Sequence, residues 1–398
     1  MDQQRRRIAI GALGALGALG ALAMAGAALP AGAAEPLKIG FVLPMSGPFA
    51  GYGKQIENGA RLYLKLHGDA FSGRRVEFVV KDDTGVAPEI SKRVAQELVV
   101  QDKVDILAGF GLTPSAFAVA PIATEAKKPM IIMNAATSSV TTKSPYILRV
   151  SMTLPQITAP VASWAAKNGI HKVFTVVADY GPGHDAEEQF KKTFVAAGGE
   201  IVGEVRAPVK NPDFAPFLQK IKDTRPDAVF LFVPTGEQSV GFMKGYVERD
   251  LAKAGIRLIA TGDLTAETVL DAMGDNALGV INSFHYSEAH RSEENKAFTD
   301  AWYKAYGPDR PDFMAVAGFD GMRLIDETLK KTGGKSDGDA FVEAAKGLSW
   351  TSPRGPVRID AATRDIVQTV YIRKVAKVGG KLQNVEFDQV PDFKDPAK

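Results

Sequence analysis

The sequence contains no cysteine among its 398 residues. Without thiols the chain has no disulfides, no thiolate metal ligands and no thiol nucleophile, and it offers no cysteine for a lipid anchor. Its stability must therefore come from buried apolar side chains. With this length and 45% hydrophobic residues, the chain can form two domains or one large one.

A large excess of charge of one sign is also missing. Three adjacent arginines at 5–7 precede a Gly/Ala/Leu run over 8–29, and small residues continue to position 34. This order is typical of a cleaved export signal, which we predict over 1–34. Cleavage would remove three arginines and one aspartate, so the formal charge would fall from +2 to 0. A chain with no basic excess is not expected to bind nucleic acid or anionic lipid.

The export signal predicts a periplasmic protein without a lipid anchor. The paired arginines before a weakly hydrophobic run also suit the twin-arginine route, so the route of export stays open between that one and general secretion.

Motifs of catalysis and metal binding are scarce. The sequence has no G-x-S-x-G, and none of its five histidines has the spacing of a metal site or of a catalytic base. We therefore expect no metal, no cofactor and no enzymatic activity. One alternative stays open, because residues 181–186 (GPGHDA) follow a predicted strand and fit the dinucleotide motif G-x-G-x-x-A. Pro182 restricts that turn, and no acidic residue marks the end of the next strand.

Strands and helices alternate along the rest of the chain. The order from residue 38 to 133 is β-α-β-α-β-α-β, and the same rhythm starts again at 155. Such alternation predicts parallel sheets with helices on both faces. The predicted fold class is therefore α/β, with two doubly wound parallel-sheet lobes.

One stretch, PMIIMNAATSSVT at 129–141, is a candidate ligand seat. An apolar strand ends in a turn where Ala135 and Ala136 carry no bulk and Thr137 adds a hydroxyl. Ligands of open α/β sheets bind at the carboxyl ends of the strands, so backbone N–H groups of this turn are candidate donors. The alternative is a strand followed by an ordinary polar loop. Tyr52 and Tyr180 are further candidates, because each lies in a glycine-flanked loop beyond a predicted strand.

Several phrases together resemble a known family. They are KIGFVLPMSGPFAGYG, KDDTGVAPE, LAGFGLTPSAFAVAPIATEAKKPMI, NAATSSVT and VVADYGPGHD. In order and spacing they are similar to the periplasmic binding proteins of branched-chain amino-acid ABC transporters, which have the type I, leucine-binding-protein-like fold. The resemblance implies two lobes joined by three hinge crossovers, with a ligand bound between them.

The resemblance also implies which residues hold the ligand. In that family a hydroxyl residue at a helix start and a small turn bind the ligand carboxylate, and these match Thr113 with Ala135, Ala136 and Thr137. The physics agrees, because a helix N-terminus offers free N–H groups to an anion. Tyr180 matches a tyrosine contributed by the second lobe.

An acid of the second lobe holds the ligand ammonium in this family, and Asp263 matches it by position. A helix cap is the alternative role for Asp263. Tyr52 matches an aromatic residue near the side-chain pocket, and Phe313 and Tyr286 are weaker candidates for its walls. The chain departs from the pattern at Leu-Thr-Pro (112–114) and elsewhere, so aromatic carboxylates and short amides stay open as ligands.

We therefore predict an exported solute-binding protein that delivers a small amino acid of the branched-chain type to an ABC permease in the inner membrane. An exported nucleotide-dependent enzyme is the alternative from another class, and we expect a monomer. The predicted division of the chain is a signal at 1–34, a first lobe at 36–150 and 285–350, a second lobe at 151–284 and 351–390, and a polar tail at 391–398. Hinges are expected at the crossovers near 150–152, 283–285 and 349–353.

Overall fold

The computed structural model describes residues 35–398, so the predicted signal at 1–34 lies outside the described residues. The strands of a first, six-stranded sheet are β1 Leu37–Leu43, β2 Ala70–Phe71, β3 Arg74–Asp82, β4 Ile106–Gly109, β5 Met130–Ile132 and β6 Ile147–Arg149. Their order in the sheet is β2-β3-β1-β4-β5-β6, in which the short β2 is antiparallel to β3 and the other pairs are parallel.

A second sheet of nine strands follows. The strands are β7 Lys172–Ala178, β8 Glu200–Ala207, β9 Ala228–Phe232, β10 Arg257–Thr261, β11 Ile281–Phe284, β12 Ser349–Ser352, β13 Gly355–Ile359, β14 Ile366–Val378 and β15 Lys381–Phe393. Five of them pair in parallel in the order β8-β7-β9-β10-β11, and the other four add antiparallel pairs beside β11. The α/β class with two parallel-dominated sheets is confirmed.

Helices cover the faces of the sheets, which explains why the parallel strands are apolar on both sides. In the described residues the α-helices are α1 Ala50–His67, α2 Pro88–Val100, α3 Thr113–Glu125, α4 Leu154–Lys167, α5 Gly181–Ala196, α6 Ala215–Thr224, α7 Glu237–Glu248, α8 Glu267–Met273, α9 Glu293–Tyr306, α10 Phe313–Thr332 and α11 Gly338–Ala345. No helix within residues 35–398 is long and apolar enough to cross a membrane.

The chain returns from the second sheet to the first through α10, which packs on α1. A Cβ on Gly59 would lie 1.9 Å from the carbonyl oxygen of Ala315, and a Cβ on Gly318 would lie 2.1 Å from that of Ile56. One glycine on each helix therefore allows the two backbones to approach closely. The lobe boundaries themselves stay predictions. Strands β1 to β6 form the first sheet, and β7 to β15 form the second.

The polar tail predicted at 391–398 overlaps the last strand. Strand β15 continues through Phe393, which pairs with Gln368 of β14. Asp395 is buried and accepts a hydrogen bond from the Ser138 hydroxyl at 2.6 Å. An edge strand carries charged side chains on its exposed face, so its sequence pattern is similar to that of a polar tail.

Candidate functional site

The first wall of the site begins where β4 ends. Helix α3 starts at Thr113, and the residue before it, Leu112, makes no side-chain cap. The Thr113 side chain is buried. The first N–H groups of α3 therefore have no capping side chain, and the positive end of the helix dipole is directed toward the same place. Such a helix start suits an anion.

The turn after β5 is bonded to the loop before α3. The Asn134 amide donates to the Gly111 carbonyl at 2.7 Å, and the Thr137 N–H donates to the Thr113 hydroxyl at 3.4 Å. The Ala135 N–H donates to the Phe110 carbonyl at 2.9 Å. The prediction that this N–H would be available to a ligand therefore needs correction, because the protein itself uses it.

Two buried polar atoms of this turn are without a hydrogen-bond partner among the described residues. They are the Thr137 hydroxyl oxygen and the side-chain carbonyl oxygen of Asn134. Burying such atoms without a partner is costly, so the turn has polar groups that only a further molecule can satisfy.

The second wall is built at the carboxyl ends of β7, β9 and β10. Tyr180 immediately precedes α5, and its ring stacks on Phe232 at the end of β9, with 6.2 Å between ring centroids and 15° between planes. Burial raises the pKa of the Tyr180 hydroxyl. The tyrosine is therefore neutral and presents an aromatic face to the cleft.

Asp263 lies just after β10 in a 3-10 turn, Gly262–Thr265. Its carboxylate accepts the Thr261 hydroxyl at 2.8 Å, and its carbonyl accepts the Thr235 hydroxyl at 2.7 Å. Burial raises the pKa of the Asp263 carboxyl to about 6. The alternative role of Asp263 as a cap of the following helix is wrong, because the N-cap residue of α8 is Ala266 and no side chain makes a capping hydrogen bond there.

Residues of both walls surround one small space, which we call the inner cavity. Its volume is about 20 Å³, so the walls must move apart to admit anything larger than a water molecule. The lining residues are Tyr52, Gly111, Leu112, Thr113, Asn134, Ala135, Ala136, Met152, Leu154, Tyr180, Pro182, Phe232, Pro234 and Asp263. Six of the seven predicted site residues line it, and Thr137 follows Ala136 directly. Their role in ligand binding stays a prediction.

Two weaker candidates lie elsewhere. Phe313 packs edge-on against Phe284, with ring centroids 4.7 Å apart, and Tyr286 is fully buried. Neither lines the inner cavity. Sequence reasoning missed Phe232 and Met152 as wall residues. The only sequence signal for Phe232 was its position at the end of a predicted parallel strand.

Hydrogen bonds join the loops and helices beside the first sheet to those beside the second, and two of them lie next to the inner cavity. The Tyr52 hydroxyl donates to the Thr235 carbonyl at 3.0 Å, and the Ser138 N–H donates to the Asp185 carboxylate at 2.7 Å. Burial raises the pKa of the Asp185 carboxyl to about 6. The two walls are therefore in contact beside the inner cavity.

Buried arginines connect the crossovers to the site. Arg149 forms an ion pair with Asp365 at 2.9 Å and donates to the Thr137 carbonyl at 2.8 Å. Arg354 pairs with Asp320 of α10 at 2.9 Å and donates to the Ser151 carbonyl at 3.1 Å. The first crossover, near Ser151, is thus held by a residue of the third.

The glycines of the GPGHDA motif serve packing in this structure. A Cβ on Gly183 would lie 1.8 Å from the Ala178 carbonyl oxygen of β7, and a Cβ on Gly181 would lie 2.6 Å from the Thr137 hydroxyl oxygen. The start of α5 therefore faces the opposite wall of the cleft at close range. Over residues 35–398 no group of histidines and acids could hold a metal ion.

The sequence profile of the periplasmic binding protein family matches residues 36–381. The chain belongs to this family. A relative named Leu/Ile/Val-binding protein homolog 6, from Brucella melitensis biotype 1, is 46% identical over 366 residues, which are 92% of this chain and 94% of the relative.

Solved structures agree with this assignment. A solute-binding protein of an ABC transporter from Rhodopseudomonas palustris BisB5, in complex with 3,4-dihydroxybenzoic acid, is 53% identical with a TM-score of 0.88, and 91% of this chain and 99% of that chain are covered. One from R. palustris HaA2, in complex with p-hydroxybenzoic acid, is 45% identical with a TM-score of 0.89 and the same coverage. A leucine-binding protein from Thermotoga maritima, at 22% identity and a TM-score of 0.77, shares the fold.

The protein is therefore a solute-binding protein of an ABC transporter, in the family that includes the Leu/Ile/Val-binding protein homologs, and it has the type I periplasmic binding fold. The resemblance read from the sequence is confirmed. Its relatives are solute-binding proteins of the periplasm and not enzymes. Proteins of this kind bind small molecules and deliver them to a permease.

Proposed function

We propose that the inner cavity binds a hydroxylated benzoate, which the protein carries to its permease. The observation that carries this proposal is the composition of the cavity. An uncapped helix start and an unpartnered hydroxyl form one wall, and an aromatic stack with a single buried acid forms the other.

The carboxylate of the ligand would lie against the first wall. The backbone N–H groups of Thr113 and Ser115 at the start of α3 would donate to it, together with the Thr113 and Thr137 hydroxyls, whereas Pro114 between them has no N–H. Each hydrogen bond from a neutral donor to a charged oxygen is shorter and stronger than a bond between neutral groups. The carboxylate would also satisfy the Thr137 hydroxyl, which otherwise stays buried without a partner.

The middle of the cavity suits a flat ring. Apart from the polar groups at Thr113, Asn134 and Asp263, its lining is largely apolar or aromatic and includes Leu112, Met152, Leu154, Tyr180 and Phe232. Aromatic rings pack well in offset or edge-on arrangements, and apolar walls remove the ring surface from water. A benzoate ring needs no further polar partner in this region.

The ring hydroxyl would donate to Asp263. This carboxylate is buried, and its raised pKa shows that the protein alone stabilises its charge poorly. A hydrogen-bond donor on the ligand would stabilise the charged form of the Asp263 carboxyl. The two Rhodopseudomonas relatives that were solved with hydroxybenzoates support this choice of ligand.

A branched-chain amino acid is the second candidate. Asp263 could accept the ammonium group in place of a ring hydroxyl, and the Brucella relative carries the Leu/Ile/Val-binding name. The two candidates share the carboxylate seat at Thr113 and Thr137. They differ in what fills the space between that seat and Asp263.

No covalent step is needed for this function. Ligand between the walls would favour the closed arrangement, because it contacts both walls only when they meet. We propose that the protein acts as a monomer in the periplasm, without a cofactor.

A thermal unfolding screen of the protein without residues 1–34 tests the proposal. Each ligand binds only the native state, so a ligand at 100 times its dissociation constant should stabilise that state by about 2.7 kcal/mol. We expect 4-hydroxybenzoate and 3,4-dihydroxybenzoate to raise the melting temperature more than leucine, isoleucine or valine. A shift with the amino acids alone would select the second candidate, and a shift with NAD alone would favour the enzyme alternative.

A further inference from the structure

The inner cavity is much smaller than the space just outside it. Two outer pockets lie next to it, with volumes of about 330 and 440 Å³, against about 20 Å³ inside. Thr235 lines both outer pockets, and Tyr52 lines the inner cavity as well as the larger outer pocket. The contact between Tyr52 and Thr235 therefore separates the inner cavity from the outer space.

Tyr52 is held firmly in this position. Its hydroxyl donates to the Thr235 carbonyl at 3.0 Å, and its ring packs edge-on against Phe49, with centroids 5.4 Å apart and 68° between planes. Only 5% of the residue is exposed. Burial raises the pKa of its hydroxyl, so the group stays a neutral donor. A side chain with a bonded tip and a packed ring does not swing aside without losing both contacts.

Tyr52 also lies at the Asp263 end of the cavity. Thr235 joins the two residues, because its carbonyl accepts from Tyr52 and its hydroxyl donates to the Asp263 carbonyl at 2.7 Å. A ligand whose carboxylate is held at Thr113 would meet this end with the part of the molecule farthest from its carboxylate. The position of Tyr52 thus bears on how long a ligand can be.

We propose that Tyr52 is the residue that sets ligand length. Its ring limits the space that opens between the walls to a benzoate-sized acid and excludes aromatic acids with two more chain carbons, such as 4-hydroxycinnamate. With a small residue at position 52, the inner cavity would join the larger outer pocket, and the longer acid would fit. This inference rests on the proposed function, since it assumes an aromatic carboxylate as ligand.

The test compares two ligands on the same variants by calorimetric titration. The measured quantity is the ratio of the dissociation constant for 4-hydroxycinnamate to that for 4-hydroxybenzoate. A ratio removes any general loss of affinity that comes from weaker contact between the walls. The variants are wild type, Tyr52→Ala and Tyr52→Phe, with Tyr63→Phe as a matched control on the same helix, whose hydroxyl bonds Asp326 away from the cavity.

We expect wild type to prefer 4-hydroxybenzoate by at least about tenfold, because poor steric fit in a closed pocket discriminates by that order. Tyr52→Ala should lower the ratio at least about tenfold. Tyr52→Phe keeps the ring and should keep the ratio, although both ligands should bind more weakly. Tyr63→Phe should leave both constants unchanged. If Tyr52→Ala does not fold, Tyr52→Leu provides the same comparison with a shorter apolar side chain.

An unchanged ratio in a folded Tyr52→Ala or Tyr52→Leu protein would overturn the inference, as would wild-type binding of both acids with equal affinity. Either result would leave the proposed function standing. Failure of wild type to bind any aromatic acid is a different result, because it would reject the proposed function and this inference together.

Discussion

The guanidinium of Arg354 lies 2.9 Å from the carboxylate of Asp320, and both side chains are fully buried. Asp320 also accepts from the Trp350 indole at 2.9 Å and from the Ser352 hydroxyl at 2.7 Å. Arg354 in turn donates to backbone carbonyls at Val150 and Ser151. One ion pair thus joins helix α10 to two of the three crossovers, where hinge bending is expected.

Breaking this pair should destabilise the whole fold. Arg354→Met keeps most of the side-chain volume but leaves Asp320 buried without its cation, which costs about 3–5 kcal/mol for pairs of this kind. Urea denaturation followed by circular dichroism measures the change. Lys244→Ala is the matched control, since Lys244 forms an exposed pair with Glu248 at 3.9 Å and should change stability by less than about 0.5 kcal/mol. Equal effects of the two substitutions would show that the buried pair is not structurally important.

Thr137→Val separates stability from binding. The Thr137 hydroxyl is buried without a protein partner, so the nearly isosteric valine should leave the free energy of unfolding unchanged or raise it by about 1 kcal/mol. Loss of a hydroxyl that donates to the ligand carboxylate should weaken binding by roughly tenfold or more. Unfolding and titration curves on one preparation measure both quantities. A destabilised variant with full affinity would contradict the placement of this hydroxyl toward the ligand.

Asp263→Ala should distinguish the two candidate ligands. We expect it to abolish binding of any amino acid, because a buried ammonium would lose its counter-charge. Unsubstituted benzoate has no hydroxyl to present to Asp263, so its affinity should be spared. The affinity for 4-hydroxybenzoate should fall to about that of benzoate. Unchanged affinity for every ligand would remove Asp263 from the site.

Asp185 should make ligand binding depend on pH. Burial beside Ser138 raises the pKa of this carboxyl to about 6, and opening of the cleft would return it toward its ordinary value of 3.8. The closed state therefore binds a proton more readily than the open state, so closure is favoured as the pH falls from 7 toward 5. Affinity should rise in that direction.

The comparison that isolates this effect is wild type against Asp185→Asn, titrated with 4-hydroxybenzoate at several pH values from 5 to 8. The asparagine can still accept the Ser138 N–H but does not titrate. The difference in affinity between the two proteins should therefore change with pH in this window. A constant difference would mean that Asp185 does not sense closure.

Much of the fold was predictable because its signals are local. Apolar strands buried on both faces, such as β7 and β9, stand out between helices with one apolar face. Strand β15 has no such signal, because charged residues occupy its exposed side. Its extended conformation is stabilised by pairing with β14. A strand of this kind depends on a partner that sequence patterns do not reveal.

The candidate site divides in the same way. Thr113 and the turn at 135–137 follow directly from a strand end and a helix start, and both lie where these patterns predict. The stack of Tyr180 on Phe232 and the bond from Tyr52 to Thr235 join residues far apart in the chain. Such contacts depend on how the two sheets face each other, which periodicity does not encode.

The most direct measurement is calorimetric titration of one ligand-free preparation with 4-hydroxybenzoate and, separately, with leucine. We expect a 1:1 complex with 4-hydroxybenzoate in the micromolar range or tighter, and far weaker binding of leucine. Tight binding of leucine with no heat from 4-hydroxybenzoate would contradict it.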